Sequence, residues 1–202
     1  MTKIIGLTGK SGAGKGAACA IFQKHGIPCV DTDAVYHKIL QSKNACTAEL
    51  AENFGSGILK RDGSVDRIAL RMAIMEHENT QARLHTLNTI THKYIMAKTR
   101  EIVQSHRETG APAVVIDAPQ LFEAGVEKEC DIVLGILSDD AHCIERILER
   151  DHIPKQAAVK RLQARHDNSY FKSRCDAVIE NNGDLDTLER DICQFLREYQ
   201  VI

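Results

Sequence analysis

The sequence predicts an α/β fold: a parallel β-sheet with helices packed on it and a long helical insertion after the second strand. Three observations predict it. Short apolar runs alternate with helical segments, which is the pattern of βαβ units. Two of those runs, Ala113-Val114-Val115-Ile116 and Ile132-Val133-Leu134-Gly135-Ile136-Leu137, are unbroken, as parallel strands covered on both faces require. A glycine cluster joins the first strand to the first helix.

Each element has its own signal. Ile4–Leu7 is apolar and β-branched and reads as the first strand. Residues 15–25 read as a helix that Gly26 ends. Ile27-Pro28-Cys29-Val30 is a second short strand, ending in Asp31-Thr32-Asp33. Helical spacing then dominates to about residue 112. It is clearest in Leu84, Leu87, Ile90, Tyr94, Lys98 and Ile102, and is interrupted by a turn-rich piece from Phe54-Gly55 to Asp62-Gly63. Beyond the two apolar strands, residues 139–165 read as two helices broken at His152-Ile153-Pro154. Ala177-Val178-Ile179 is the last strand, Asn181-Asn182-Gly183 a turn, and 184–200 the final helix. The insertion is expected to cover the ends of the strands.

Composition narrows the function classes. The 202 residues suit one domain with insertions, given the ~150 residues typical of a domain. Hydrophobic residues make up 43% and charged ones 27%, and the formal charge is −2. That balance argues against a whole-surface nucleic-acid binder, as do 4% aromatics and no tryptophan. No apolar run reaches the ~18–20 residues of a membrane span, so no membrane partner is expected. The start of the chain reads as a strand, not a signal peptide. Seven scattered cysteines without a Cys-x-x-Cys pair predict reduced thiols in a cytoplasmic protein.

The residues from Gly9 to Ala17, Gly9-Lys10-Ser11-Gly12-Ala13-Gly14-Lys15-Gly16-Ala17, carry the chemistry. They fit the phosphate-binding loop Gly-x-x-x-x-Gly-Lys-[Ser/Thr] at every fixed position but the last. Glycines let successive N–H groups turn inward around an anion, and a helix N-terminus adds partial positive charge. Lys15 supplies a point charge for the outer phosphates. Gly16 lacks the hydroxyl that normally meets Mg²⁺ there, so phosphate oxygens, water and carboxylates elsewhere must hold the ion.

Two acidic positions follow from the strand ends. Asp31-Thr32-Asp33 closes the second strand, at the edge where open α/β sheets bind ligands. A carboxylate there can bind Mg²⁺ or take a proton from an attacking hydroxyl, or it can cap a helix; Asp31 suits the cap and Asp33 the chemistry. Val114-Val115-Ile116-Asp117 has the form of a Walker B strand, which makes Asp117 a second candidate for Mg²⁺ through water. Residues 146–174 hold eight of the 26 basic residues, Arg146, Arg150, Lys155, Lys160, Arg161, Arg165, Lys172 and Arg174. Arg146 and Arg150, one turn apart, suit a lid that clamps a transferring phosphoryl group; Glu145 and Glu149 interleave as they would on a solvated face.

Over nearly its whole length the chain resembles the dephospho-coenzyme A kinases. The resemblance rests on Gly12-Ala13-Gly14-Lys15, Asp31-Thr32-Asp33, Asp66-Arg67, His92, Pro119 with Leu121-Phe122-Glu123, Arg146, Arg150-Asp151, and Asp176 through Val178-Ile179 to Asn181 and Gly183. It departs at Gly16, Lys93, Gln120, Cys143, Arg165 and Cys175. The resemblance implies a P-loop kinase with a three-layer α/β/α core, akin to nucleoside monophosphate kinases. The core would be residues 1–35, 104–138 and 166–202, the acceptor subdomain 36–103 and the lid 139–165. It implies transfer of the γ-phosphoryl of ATP, with Mg²⁺, to the ribose 3′-hydroxyl of dephospho-CoA. Lys15, Asp33, Arg146 and Arg150 would be catalytic, the loop would bind ATP, and His92 and Arg67 would join Asp33 at the acceptor. A nucleotide-binding protein with weak or no turnover, or a kinase for another small acceptor, is the competing reading.

Overall fold

The computed structural model describes residues 2–76, 78–164 and 166–202; Arg165, expected in the basic segment, lies outside the described residues. In chain order the elements are β1 (Lys3–Thr8), α1 (Lys15–Lys24), β2 (Cys29–Asp31), α2 (Thr32–Leu40), α3 (Ala45–Phe54), α4 (Arg67–Met75), α5 (Thr80–Glu108), β3 (Ala113–Asp117), β4 (Ile132–Leu137), α6 (Asp140–Asp151), α7 (Lys155–Gln163), α8 (Asn168–Lys172), β5 (Ala177–Glu180) and α9 (Leu185–Glu198). The sheet order is β2-β3-β1-β4-β5. Strand β1 pairs in parallel with β3 and β4, and β4 in parallel with β5. The expected α/β architecture is present, and the first strand sits at its centre.

Two compact units make up the chain: the residues up to Val30 with Val103–Ile202, and Asp31–Ile102. The first division falls after Val30, so residues 31–35, expected with the core, pack with the second unit.

In the first unit the core forms around the sheet. Every residue of β4 is buried, as its apolar run requires. Helices α1 and α9 pack together, with Phe22 and Phe195 edge to face at 6.5 Å. Strand pairing is pinned by two carboxylates just ahead of strands. Asp131 accepts from Ile4 N at 2.7 Å and Asp176 from Val133 N at 2.7 Å, each satisfying an amide at a strand start. All seven cysteines are thiols.

In the second unit Leu50, Ile58, Leu70 and Ile90 are among the residues of a separate apolar core. Three of its helices begin on side-chain caps: Asp31 for α2, Asn44 for α3 and Asp66 for α4.

Three local differences from the sequence reading have physical causes. Strand β2 starts at Cys29, two residues later than Ile27, because Pro28 has no N–H to give a ladder. Its carbonyl still accepts from Val115 N at 2.9 Å. Helix α8 has no counterpart in the sequence reading; at five residues it is too short to show periodicity, and it rests on the Asp167 cap and on burial of Phe171. The turn-rich piece contains a 3₁₀ turn, Ser56–Ile58, and an antiparallel bridge between Leu59 and Val65. The break between α6 and α7 falls where Pro154 stands, with His152 in the left-handed region at φ 50°.

Candidate active site

The loop between β1 and α1 is shaped by contacts that exclude side chains. A Cβ at Gly9 would lie 2.0 Å from the Ile136 carbonyl oxygen, and one at Gly14 would lie 2.1 Å from Asn181 Nδ2. Gly14 is also at φ +103°, a backbone state other residues rarely take. It stands at the N-cap of α1 and offers no capping side chain, and the first turn carries no acid. The first N–H groups of α1, which have no carbonyl partner within a helix, are open to an external anion. α2, α3, α4, α8 and α9 each have a side-chain cap, while α6 and α7, like α1, have none; what sets α1 apart is the glycine backbone around its bare end.

Lys15 opens α1 and curls back, with Nζ donating to Gly9 O at 3.1 Å. Its charge thus stands over the loop it belongs to. Gly16 is the opposite of Gly9 and Gly14: it lies in the first helical turn, is exposed, and has nothing within 4 Å of a built Cβ. The missing hydroxyl is not imposed by space or backbone.

Asp117 ends β3 directly opposite Leu7 of β1, two residues before Gly9. Its Oδ2 is 3.8 Å from Cys19 Sγ. The hydrogen-bonded Cys29 thiol, burial and the Asp117 carboxylate all push the Cys19 thiol up, so it stays protonated. A carboxylate at this strand end fits Mg²⁺, which keeps several waters and takes much of its coordination from phosphates. It does not fit an ion held by protein alone, and no cluster of three or more metal-ligating side chains occurs among the described residues.

The basic segment splits. Arg146 comes to the loop: Nη1 donates to Gly12 O at 3.5 Å, Ala13 O at 3.4 Å and Ser138 Oγ at 3.3 Å, and Nη2 to Asn181 O at 3.1 Å. Arg150 does not. Its Nε and Nη2 donate to the two oxygens of Asp151 at 2.8 and 3.0 Å, and Arg161 binds the same carboxylate. The Arg150 hydrogen bond, its charge and Arg161 hold the Asp151 carboxyl below its ordinary range.

In the second unit Asp31 accepts from Asp33 N at 2.8 Å and Ala34 N at 3.0 Å. Asp31 is therefore the cap, and Asp33 is an exposed acid in the first turn of α2. Arg67, at the start of α4, has Nη1 3.3 Å from His37 Nδ1. His92 lies half-buried on α5.

Several residues around the loop have no site role in the sequence reading, although Asn181 belongs to the motif that carries the resemblance. Lys10, a buried loop residue, pairs with Asp140 at the start of α6. Ser138 Oγ lies 2.9 Å from Asn181 O and 2.8 Å from Asn182 Oδ1, its one hydroxyl proton shared between them. Asn181 donates through Nδ2 to Ala13 O at 2.8 Å.

The model of the dephospho-CoA kinase family matches residues 3–187. The chain belongs to the dephospho-CoA kinase family. The dephospho-CoA kinase of Lactobacillus johnsonii is 32% identical over 198 residues, covering 98% of each chain. A solved structure from Thermus thermophilus superposes with a TM-score of 0.78 at 26% identity, covering 98% of this chain and 97% of the other. The dephospho-CoA kinase from Campylobacter jejuni superposes with a TM-score of 0.71 at 23% identity, covering 98% of each, and supports the fold. The protein is thus a P-loop kinase, a phosphotransferase of the family that completes coenzyme A synthesis. No described helix is long and apolar enough to cross a membrane.

Proposed function

We propose that this kinase transfers the γ-phosphoryl of ATP to the ribose 3′-hydroxyl of dephospho-CoA. The observation that carries the reading is the loop: Gly9 and Gly14 forced by close contacts, α1 opening without a capping side chain, and Lys15 curled over Gly9, in a chain that matches the family over residues 3–187. The loop amides and Lys15 hold the outer phosphates and follow the charge that spreads over them during transfer. Asp33 orients the acceptor hydroxyl and takes its proton. Arg146, already at the loop, and Arg150, once released from Asp151, add positive charge over the transferring group. Residues 139–165 act as the lid that carries them, and 36–103 as the acceptor subdomain, with Arg67 and His92 contributing to acceptor binding. Mg²⁺ would be held by phosphate oxygens and water near Asp117, where it neutralises phosphate charge.

The test is a panel. The protein is incubated with Mg-ATP and, separately, dephospho-CoA, adenosine, AMP and pantetheine phosphate, and ADP is followed. ADP release with dephospho-CoA far above the others supports the reading. Release with another acceptor alone moves the substrate, and release with none moves the protein to a nucleotide binder.

Gly16 is the observation that favours weak turnover, and its surroundings make it testable. Because a Cβ there meets nothing and the position is helical, Gly16→Ser is expected to fold normally and to gain roughly 0.5 kcal/mol of stability. Serine supplies the ligand that the motif lacks. The free Mg²⁺ needed for half-maximal rate is expected to fall several-fold in a magnesium titration of initial rates. An unchanged requirement would mean that a carboxylate, Asp117 or Asp33, already fills that place.

A further inference from the structure

The phosphate loop is held in shape by a residue more than 160 positions away. Asn181, just after β5, is 7% exposed, and its Nδ2 donates to Ala13 O at 2.8 Å. Arg146 Nη1 stands 3.4 Å from the same carbonyl, and Arg146 Nη2 donates to the backbone oxygen of Asn181 at 3.1 Å. Ser138 Oγ, buried, donates to that backbone oxygen at 2.9 Å. The carboxamide also fills the space that a Cβ at Gly14 would need.

The consequence follows from peptide geometry. The Ala13 carbonyl and the Gly14 N–H belong to one planar trans unit and point in opposite directions. Two donors on the carbonyl therefore fix where the N–H points. With φ +103° and no side chain, Gly14 is a residue whose neighbouring peptides turn easily. A loop that had to select this orientation at each binding event would lose affinity to the ordering cost.

We propose that Asn181 is a positioning residue for nucleotide binding: its carboxamide anchors the Ala13–Gly14 peptide so that the Gly14 N–H is already turned away from Asn181, toward the phosphate site. The proposal rests on the reading of the loop as the ATP site. It extends the binding machinery to a residue outside the loop motif.

The test measures ADP binding by titration calorimetry, which needs no turnover and no acceptor. Dephospho-CoA binding and thermal melting are recorded alongside. Asn181→Asp places a carboxylate against the Ala13 carbonyl and is expected to weaken ADP binding on the order of tenfold to a hundredfold at pH 8. Asn181→Ala is expected to weaken ADP binding as well, with dephospho-CoA binding unchanged in both variants. The proposal is overturned if either variant binds ADP within twofold of wild type. An equal loss of dephospho-CoA binding, or loss of cooperative melting in both variants, would make Asn181 a purely structural residue and overturn it as well. Wild-type protein that fails to bind ADP would overturn the assignment of the loop itself.

Discussion

Lys15→Ala is expected to lower turnover at least a hundredfold, on the order of 3 kcal/mol, the scale of one lost electrostatic stabiliser. Lys15 is the first residue of α1, and its ammonium already stands over the loop, donating to the Gly9 carbonyl at 3.1 Å. A charge on a flexible stem can follow the phosphoryl group as it moves. Backbone amides cannot. The substitution removes that charge without touching the fold, because alanine is the best helix former and the side chain is only half-buried. Steady-state kinetics at saturating ATP and thermal melting check the two halves of the expectation. Wild-type turnover in a folded variant would remove Lys15 from the chemistry.

Asp33→Asn is expected to lower kcat by two to four orders of magnitude, the range of a lost general base, while leaving KM for ATP nearly unchanged. Asp31, not Asp33, carries the cap of α2, accepting from both Asp33 N and Ala34 N. The substitution therefore leaves the helix start intact. All that structure loses is the attraction of one acid to the N-terminus of α2, about 0.3–1 kcal/mol. A catalytic role and a merely electrostatic one give results orders of magnitude apart. A near-silent variant would mean that the acceptor hydroxyl loses its proton elsewhere.

What the sequence made legible is what depends on neighbours in the chain. The unbroken apolar run of β4 announces a strand buried on both faces, and the structure buries all six of its residues. The helix stop at Gly26 and the break at Pro154 are local too, because each is set by one residue's backbone freedom. The loop from Gly9 to Lys15 is legible for the same reason: its function depends on spacing. Asn181 is not, because it meets Ala13 across 168 positions and no pattern in one sequence links them. Lys10 and Asp140 are separated by 130 positions and are hidden in the same way. Arg150 is a different case. The sequence places it a turn from Arg146 and predicts both on the phosphates, but Asp151 stands next to it, and in the structure Arg150 pairs bidentately with that carboxylate. The competing acid was visible in the sequence, and its geometry was not.

The division of roles at Asp31-Thr32-Asp33 shows how the structure sharpens such a reading. Two aspartates two positions apart could each have been the cap. The N-cap needs an extended backbone, and Asp31 has it at φ −82°, ψ 110°, whereas Asp33 is already helical. That leaves Asp33 exposed and without a capping task in the helix whose first turn it occupies.

The measurement that tests the account most directly is the identity of the product. Wild-type protein is incubated with Mg-ATP and dephospho-CoA, and the mixture is followed by phosphorus NMR and mass spectrometry. The account predicts one new phosphomonoester per ADP formed, on the ribose 3′-oxygen, with the mass of coenzyme A. ADP that accumulates with free phosphate and no new ester, or an ester at any other position, would contradict it.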